Sequence, residues 1–166
     1  MMNFSQTIKQ IEKSPAFANF KKQYEDAYLC AGFFVLDYES SDEQCQQQLD
    51  YSLKDGTIFT FILNSEITIK KAETIKKEKL PELNKKIKVD LDDVEKILGD
   101  ELQNKKIKNK INKIIAVLQN YQGKQIWNLN CILAGMEILQ MHINSETGEI
   151  LKSEKRSMFD FIKKIK

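Results

Sequence analysis

Histidine and cysteine are scarce in this sequence, and their scarcity excludes several kinds of site. His142 is the only histidine, so no histidine pair can bind a metal ion, and we expect this side chain at the surface or at a sheet edge. Cys30, Cys45 and Cys131 are widely spaced and form no CxxC motif, which indicates neither a zinc site nor a disulfide scaffold. We therefore expect no metal, no cofactor and buried free thiols, with a Cys30–Cys45 disulfide as the less favoured alternative.

Arginine is almost absent as well. Of the 26 basic side chains, all but Arg156 are lysine. The chain also has 24 acidic side chains, so its net charge is +2. Arginine is the side chain that suits bidentate contacts to phosphate and guanine, so this composition argues against a nucleic-acid partner. Five lysines between positions 105 and 113, which no acidic residue interrupts, leave contact with a polyanion as a third hypothesis.

Long apolar runs are also missing. No window approaches the roughly 18 consecutive apolar residues of a membrane span, and the N-terminal residues MMNFSQTIKQIEK lack the pattern of a signal peptide. We therefore expect a cytoplasmic protein with no membrane association. A length of 166 residues with 42% hydrophobic content suffices for one core or for two small units fused together.

Apolar spacing in the first part of the chain predicts a broken helix and then a strand. Residues 4–24 carry an apolar stripe at helical spacing, and Ser14 followed by Pro15 predicts a second helix start inside it. Residues 27–38, with the sequence AYLCAGFFVLDY, are apolar at both alternating sets of positions. That pattern is typical of a central strand that is covered on both faces.

Two glycines lie where tight reversals between strands are expected. Gly56 follows the strictly alternating residues 45–53, and Gly148 lies at the centre of the apolar stretch from Met136 to Glu154. Glycine adopts a positive φ without steric cost, so each glycine is predicted to turn a β-hairpin. A shift of 92 positions lays Gly56 on Gly148, and the flanking apolar residues coincide in phase, which indicates either an internal duplication or a chance match.

A helix and further strands are predicted after the lysine-rich segment from Lys71 to Lys88, which we interpret as the connection between two halves. Asp90 is the predicted N-cap of the helix, because carboxylates are favoured at helix starts. Three apolar runs then predict strands at residues 113–121, 125–135 and 136–144, and the turn at Gly148 leads to a fourth.

The C-terminal half resembles the PepSY module. Its acid-capped helix, Trp127 in the second strand and the ending from Thr147 to Leu151 (TGEIL) follow that family's order of one helix, three antiparallel strands and a closing Thr-Gly hairpin. Asn144 and Ser145 stand where the family has Asp-Ala. The resemblance covers about residues 89–154.

The resemblance implies an α+β fold of two helix-plus-antiparallel-sheet units of PepSY or cystatin type, at residues 1–78 and 79–166, with the first unit as a diverged copy. PepSY modules occur in pro-peptides of thermolysin-type metalloproteases and in cell-envelope proteins, where an inhibitory or peptide-binding role has been proposed, and they offer no catalytic residues. We therefore expect a non-enzymatic binding or interaction module with a protein or peptide partner. An exposed sheet edge could accept a strand from that partner, or pair two copies as a homodimer.

Aromatic residues in the first part of the chain support an alternative function. Eleven of the fifteen aromatic residues precede position 62, and an aromatic core explains this concentration most simply. The alternative is a small-ligand binder or an enzyme with a cleft between helix and sheet. The candidate lining residues of that cleft are Tyr24, Tyr28, Tyr38 and Tyr51.

Overall fold

A computed structural model of the chain describes residues 2–39, 46–72 and 79–160. Within these ranges the protein is α+β, with three complete helices, the start of a fourth at residues 158–160, and eight strands that form one antiparallel sheet. This confirms the predicted class of fold. The alternative disulfide cannot be placed, because Cys45 lies outside the described residues.

The N-terminal part folds in the order that the sequence predicts. Helices α1 (Phe4–Glu12) and α2 (Pro15–Gln23) are separated at Ser14. The Ser14 hydroxyl accepts a hydrogen bond of 3.2 Å from the backbone N–H of Phe17, which caps α2 and confirms the predicted break. Four strands follow: β1 (Tyr28–Asp37), β2 (Gln46–Ser52), β3 (Ile58–Leu63) and β4 (Ile67–Lys71).

The C-terminal part starts with a segment, residues 79–90, that contains neither helix nor strand. It leads into α3 (Leu91–Asn104), whose N-cap is Asp90 as predicted. Four strands follow: β5 (Ile111–Tyr121), β6 (Lys124–Leu133), β7 (Glu137–Asn144) and β8 (Ile150–Ser157).

The strand order in the sheet is β4-β3-β2-β1-β5-β6-β7-β8. Strand β1 therefore lies at the centre, as its apolar sequence predicts. It pairs with β5 in antiparallel register, with Phe34 opposite Ala116. This pairing joins two four-stranded meanders into one sheet, whose edge strands are β4 and β8.

The core lies between the helices and one face of this sheet. Phe4 of α1 packs edge-on against Phe34 of β1 and Trp127 of β6, with ring centroids 6.2 Å apart in both pairs. Gly32 makes this approach possible, because a Cβ atom there would lie 3.0 Å from the Phe34 ring and 3.4 Å from the Phe4 ring. Buried side chains of all three helices belong to the same cluster.

Both predicted turn glycines adopt left-handed backbone conformations, with φ of 91° at Gly56 and 78° at Gly148. Gly148 donates a backbone hydrogen bond of 2.9 Å to Asn144 O, which closes the turn between β7 and β8. A Cβ atom at Gly148 would lie 3.5 Å from Ile97 Cδ1 of α3, so the hairpin end packs against the helix. The two predicted hairpins are confirmed.

One carboxylate joins the starts of two helices. Asp90 Oδ1 accepts hydrogen bonds from the backbone N–H groups of Phe4 (2.8 Å) and Leu91 (2.7 Å). Asp90 Oδ2 accepts from the backbone N–H and the hydroxyl of Ser5, both at 3.1 Å. The sequence predicted a cap for α3 alone, yet Asp90 also binds the first N–H groups of α1, whose own N-cap is Asn3.

The segment of residues 79–90 is fastened across one end of the sheet. Leu83 donates a backbone hydrogen bond of 2.9 Å to Leu29 O, and Val89 donates one of 3.0 Å to Ser145 O. The indole N–H of Trp127 donates to Val89 O at 2.7 Å. The described part of the predicted connection is therefore bound to strands from both halves of the sheet.

Candidate functional site

The sheet face that points away from the helices is the first candidate site, and we call it the open face. Side chains of a strand alternate between the two faces, so each core residue has a neighbour on the open face. Phe34 is fully buried in the core, whereas its neighbours Phe33 and Val35 are half-buried. No helix of the described ranges covers them, so the expectation that β1 is covered on both faces is wrong for this part of the chain.

Apolar side chains occupy the centre of the open face. Phe33 lies opposite Val117, Val35 lies opposite Ile115, and Ile132 on β6 lies opposite Ile138 on β7. All are half-buried. We call this group the apolar patch: Phe33, Val35, Ile115, Val117, Ile132 and Ile138. Their side chains are only partly accessible, and accessible apolar patches mark interaction sites in proteins.

Amide side chains surround the apolar patch. Gln48 lies opposite Phe33, and Asn130 lies opposite Ile115. The wider set on the same face is Gln46, Gln48, Gln119, Asn128, Asn130 and Gln140. Each amide group can both donate and accept hydrogen bonds. Two charged side chains also adjoin the patch, Lys113 opposite Ile132 and Arg156 opposite Ile138.

A depression lies at the end of the open face where β5 to β8 meet, and we call it the His142 depression. Its volume is about 440 Å³. Lining residues include Tyr121, Ile126, His142, Leu151, Lys152 and Glu154. The rings of Tyr121 and His142 meet edge-to-face with centroids 5.2 Å apart.

His142 is a buried residue of the second strand from the edge, which corrects the expectation of a surface or edge histidine. Its side chain is only 8% exposed. Nε2 of His142 and Oδ1 of its cross-strand neighbour Asn128 are both buried without a hydrogen-bond partner in the described part of the chain. Burial, together with the nearby Lys152 ammonium, lowers the pKa of His142, which keeps the imidazole neutral at pH values below the ordinary pKa of histidine.

Lowering the pH from about 7.5 to about 5.5 is expected to destabilise the protein through His142. Because the folded state lowers the pKa of His142 from its ordinary value of 6.5, the unfolded chain takes up a proton before the folded chain does. The contribution of neutral His142 to the free energy of unfolding is complete above pH 6.5 and is lost as the pH falls towards the folded-state pKa of His142. Urea denaturation at both pH values measures it. His142→Gln should reduce the difference, and an identical difference in both proteins would contradict this assignment.

The four tyrosines predicted to line a cleft are not brought together. Tyr24 and Tyr51 both contact Phe20, with ring centroids 5.3 and 6.1 Å away. Tyr51 is only 2% exposed, and its burial raises the pKa of the phenol. It is therefore a core residue.

Tyr28 and Tyr38 lie elsewhere. The Tyr28 hydroxyl donates to Leu80 O at 2.7 Å, which ties β1 to the segment of residues 79–90. Tyr38 is 45% exposed, and its hydroxyl donates to Glu95 of α3 at 3.1 Å.

Tyr24 does line a groove, beside the outer strands of the N-terminal meander. The groove has a volume of about 320 Å³ and lies between α2 and strands β3 and β4. Phe20, Phe59 and the 38% exposed Ile69 are among the other lining residues. Of the predicted set, Tyr24 alone therefore fits a ligand site between helix and sheet.

Neither a metal centre nor a membrane helix is found in the described ranges. No group of three or more His, Cys, Asp or Glu side chains there is arranged to hold a metal ion. No helix there is long and apolar enough to cross a membrane. The cytoplasmic location stays a prediction.

Comparison with known proteins adds one similar solved structure. No protein-family model and no curated protein matches the chain. A crystal structure of a putative lipoprotein from Clostridium difficile 630 is similar over 85% of this chain and 90% of its own, with 15% sequence identity and a TM-score of 0.49. Similarity of this degree assigns neither a family nor a function.

Proposed function

We propose that this protein is a non-catalytic binding module that holds an extended, uncharged segment of a partner protein or peptide on the open face. The observation that carries the proposal is the apolar patch. Its half-buried side chains come from β1, β5, β6 and β7, so one segment lying across the strands could cover them all. Removing such apolar surface from water is the main favourable term in association.

Charge complementarity defines the partner. The apolar patch and its amide side chains carry no charge themselves. The charged side chains beside the patch, Lys113 opposite Ile132 and Arg156 opposite Ile138, are already paired with Asp37 at 3.8 Å and with Glu154 at 2.5 Å. Burying an unpaired charge against this surface would be costly. Backbone amides of a bound segment would instead find donors and acceptors in side chains such as Asn130 and Gln48.

The sheet edges fit this role less well. Strand β4 ends in Lys70 and Lys71, and β8 carries Lys152, Glu154, Lys155 and Arg156 along its length. Charged residues on edge strands oppose the addition of another strand. Binding on the face is therefore favoured over strand addition at an edge, and a homodimer through the edges is disfavoured for the same reason.

The proposal includes the tandem organisation and the kinship with PepSY modules. The proposed units are residues 1–78 and 79–166. The element order supports them, because one or two helices followed by a four-stranded meander occur in each. The first strands of the two meanders, β1 and β5, pair with each other. Trp127 and the hairpin at Gly148 occupy a core strand and a closing turn. An inhibitory role would follow if the bound segment belonged to a peptidase.

Val117→Lys is expected to abolish peptide binding, because it introduces a charge into the centre of the apolar patch. The measurement is selection of a displayed random-peptide library on the immobilised protein, followed by affinities of the enriched peptides. Gln103→Lys is the matched control, since it adds the same charge to an exposed position of α3 on the other side of the molecule. Uncharged apolar peptides should bind the wild type and the control alike.

Three results would count against this function or change its partner. A library that yields no binder, or peptides that bind Val117→Lys unchanged, would refute binding at the apolar patch. Concentration-dependent dimers that Val117→Lys dissociates would make a second copy of the chain the partner. Binding lost in Tyr24→Ala instead would favour the second candidate, a small-ligand site in the groove between α2 and β3.

A further inference from the structure

We infer that the His142 depression is a separate binding site for a carboxylate that is joined to an apolar group and flanked by a hydrogen-bond donor. The site is distinct from the apolar patch and does not depend on it. Two sources share this chemistry: the C-terminal residue of a peptide, and a free aromatic acid. The inference rests on charge, unpaired polar atoms and apolar lining, which all converge on one depression.

Charge at the depression favours an anion. Lys124 and Lys152 line it together with one acid, Glu154. Glu154 Oε2 is bound by the Arg156 guanidinium at 2.5 Å, whereas Lys152 Nζ is 4.0 Å from the same oxygen. Arg156 lowers the pKa of Glu154, so this carboxylate is already ionised and paired. The positive charge of the two lysines therefore exceeds the negative charge that faces them.

Unpaired polar atoms next to these lysines specify a donor on the ligand. Oδ1 of Asn128, which lies beside His142 on the neighbouring strand and is not itself a lining residue, can only accept a hydrogen bond and has no donor within the described chain. Nε2 of His142, in a side chain that is more than nine-tenths buried, has no partner there either. Buried polar atoms normally have partners. A ligand N–H beside a carboxylate would supply one of them.

The remaining lining is apolar. The Tyr121 ring, Ile126 and Leu151 contribute to the walls, and Tyr121 is 44% exposed, so its ring is accessible. A volume of about 440 Å³ matches small-molecule sites, which begin at roughly 300 Å³. An aromatic side chain with its own carboxylate and amide N–H fits the depression in size and chemistry.

N-acetylphenylalanine is the probe that combines these groups, and N-acetylphenylalanine amide is its uncharged counterpart. Titration of either compound into ¹⁵N-labelled protein, followed by amide chemical shifts, measures both affinity and location. We expect the acid to shift resonances of Ile126, His142 and Lys152 and to bind at least about tenfold more tightly than the amide, because hydrogen bonds to charged groups are the stronger ones.

Lys152→Gln should weaken binding of the acid by about fivefold to tenfold. Lys155→Gln is its matched control, since Lys155 lies on the same strand but on the opposite face. It should bind like the wild type, and so should Phe33→Lys, which alters the apolar patch on β1, three strands from His142. Equal binding of acid and amide, an unchanged affinity in Lys152→Gln, shifts located elsewhere, or no shift at millimolar concentration would each overturn the inference.

An acetylated hexapeptide ending in phenylalanine distinguishes the two sources. Tighter binding than N-acetylphenylalanine, lost on amidation of the C-terminus, would assign the depression to peptide ends. Equal or weaker binding of the peptide would assign it to free acids of amino-acid size. Because Phe33→Lys alters the apolar patch on β1 and leaves the His142 depression, three strands away, intact, failure of this inference and failure of the binding role at the apolar patch give different results.

Discussion

Replacement of Trp127 by alanine is expected to lower the free energy of unfolding by about 3–5 kcal/mol. The side chain is fully buried, so its removal leaves a large cavity beneath α1, next to Phe4 and Phe34. It also leaves Val89 O without the indole N–H, which donates to it at 2.7 Å. Urea denaturation followed by circular dichroism measures the effect. Tryptophan fluorescence cannot be used for this variant, because the substitution removes the one tryptophan of the chain.

Trp127→Phe separates the cavity from the hydrogen bond. It keeps an aromatic ring between the helix and the sheet, so a loss of only about 1–3 kcal/mol is expected. Tyr121→Ala is the control for removing an aromatic side chain from an exposed place, since Tyr121 is 44% exposed. If Trp127→Ala were no more destabilising than Tyr121→Ala, the position of Trp127 in the core would be wrong.

Replacement of Asp90 by alanine is expected to cost about 2–4 kcal/mol. Helix α3 loses its N-cap, and α1, which keeps Asn3 as its own N-cap, loses the charged acceptor of its first N–H groups, at about 1–2 kcal/mol each. The backbone N–H groups of Phe4, Ser5 and Leu91 would lose the carboxylate that they share. Helix α1 would lose its direct link to the start of α3. Chemical denaturation measures the change in unfolding free energy.

Asp90→Asn retains one oxygen acceptor and should recover about half of that loss. Asp92→Ala is the matched control, since Asp92 is an exposed acid in the same first turn of α3 and interacts with the helix dipole at only a few tenths of a kcal/mol. Equal effects of Asp90→Ala and Asp92→Ala would show that Asp90 does not join the two helices.

Local signals in the sequence predicted most of the elements. Ser14 before Pro15 marked the break between two helices, and Asp90 marked the start of α3, because capping chemistry is decided within one helical turn. Gly56 and Gly148 marked two hairpins, because the left-handed conformation of a turn favours glycine. Each of these features depends on a few neighbouring residues, so periodicity and turn chemistry suffice to find it.

Features that depend on distant residues were not predicted. The second role of Asp90 joins groups about 85 positions apart, and no local pattern indicates it. The burial of His142 on β7 follows from Tyr121 on β5 and Lys152 on β8. The sequence does contain a signal of the apolar patch, since residues 27–38 are apolar at both alternating sets of positions. This pattern predicts a strand that is covered on both faces. The periodicity of one strand does not distinguish coverage by a helix of the same chain from coverage by a binding partner.

The pairing of β1 with β5 has a consequence for any attempt to divide the protein. Each strand conceals the backbone edge of the other along the contact from Gly32 to Asp37. Cleavage between the two meanders, followed by separation, would uncover two long apolar strands with unpaired N–H and C=O groups, which is the arrangement that nucleates β-aggregation. Even if the halves arose by copying one ancestral unit, the present chain should behave as a single indivisible body whose fragments precipitate or re-associate.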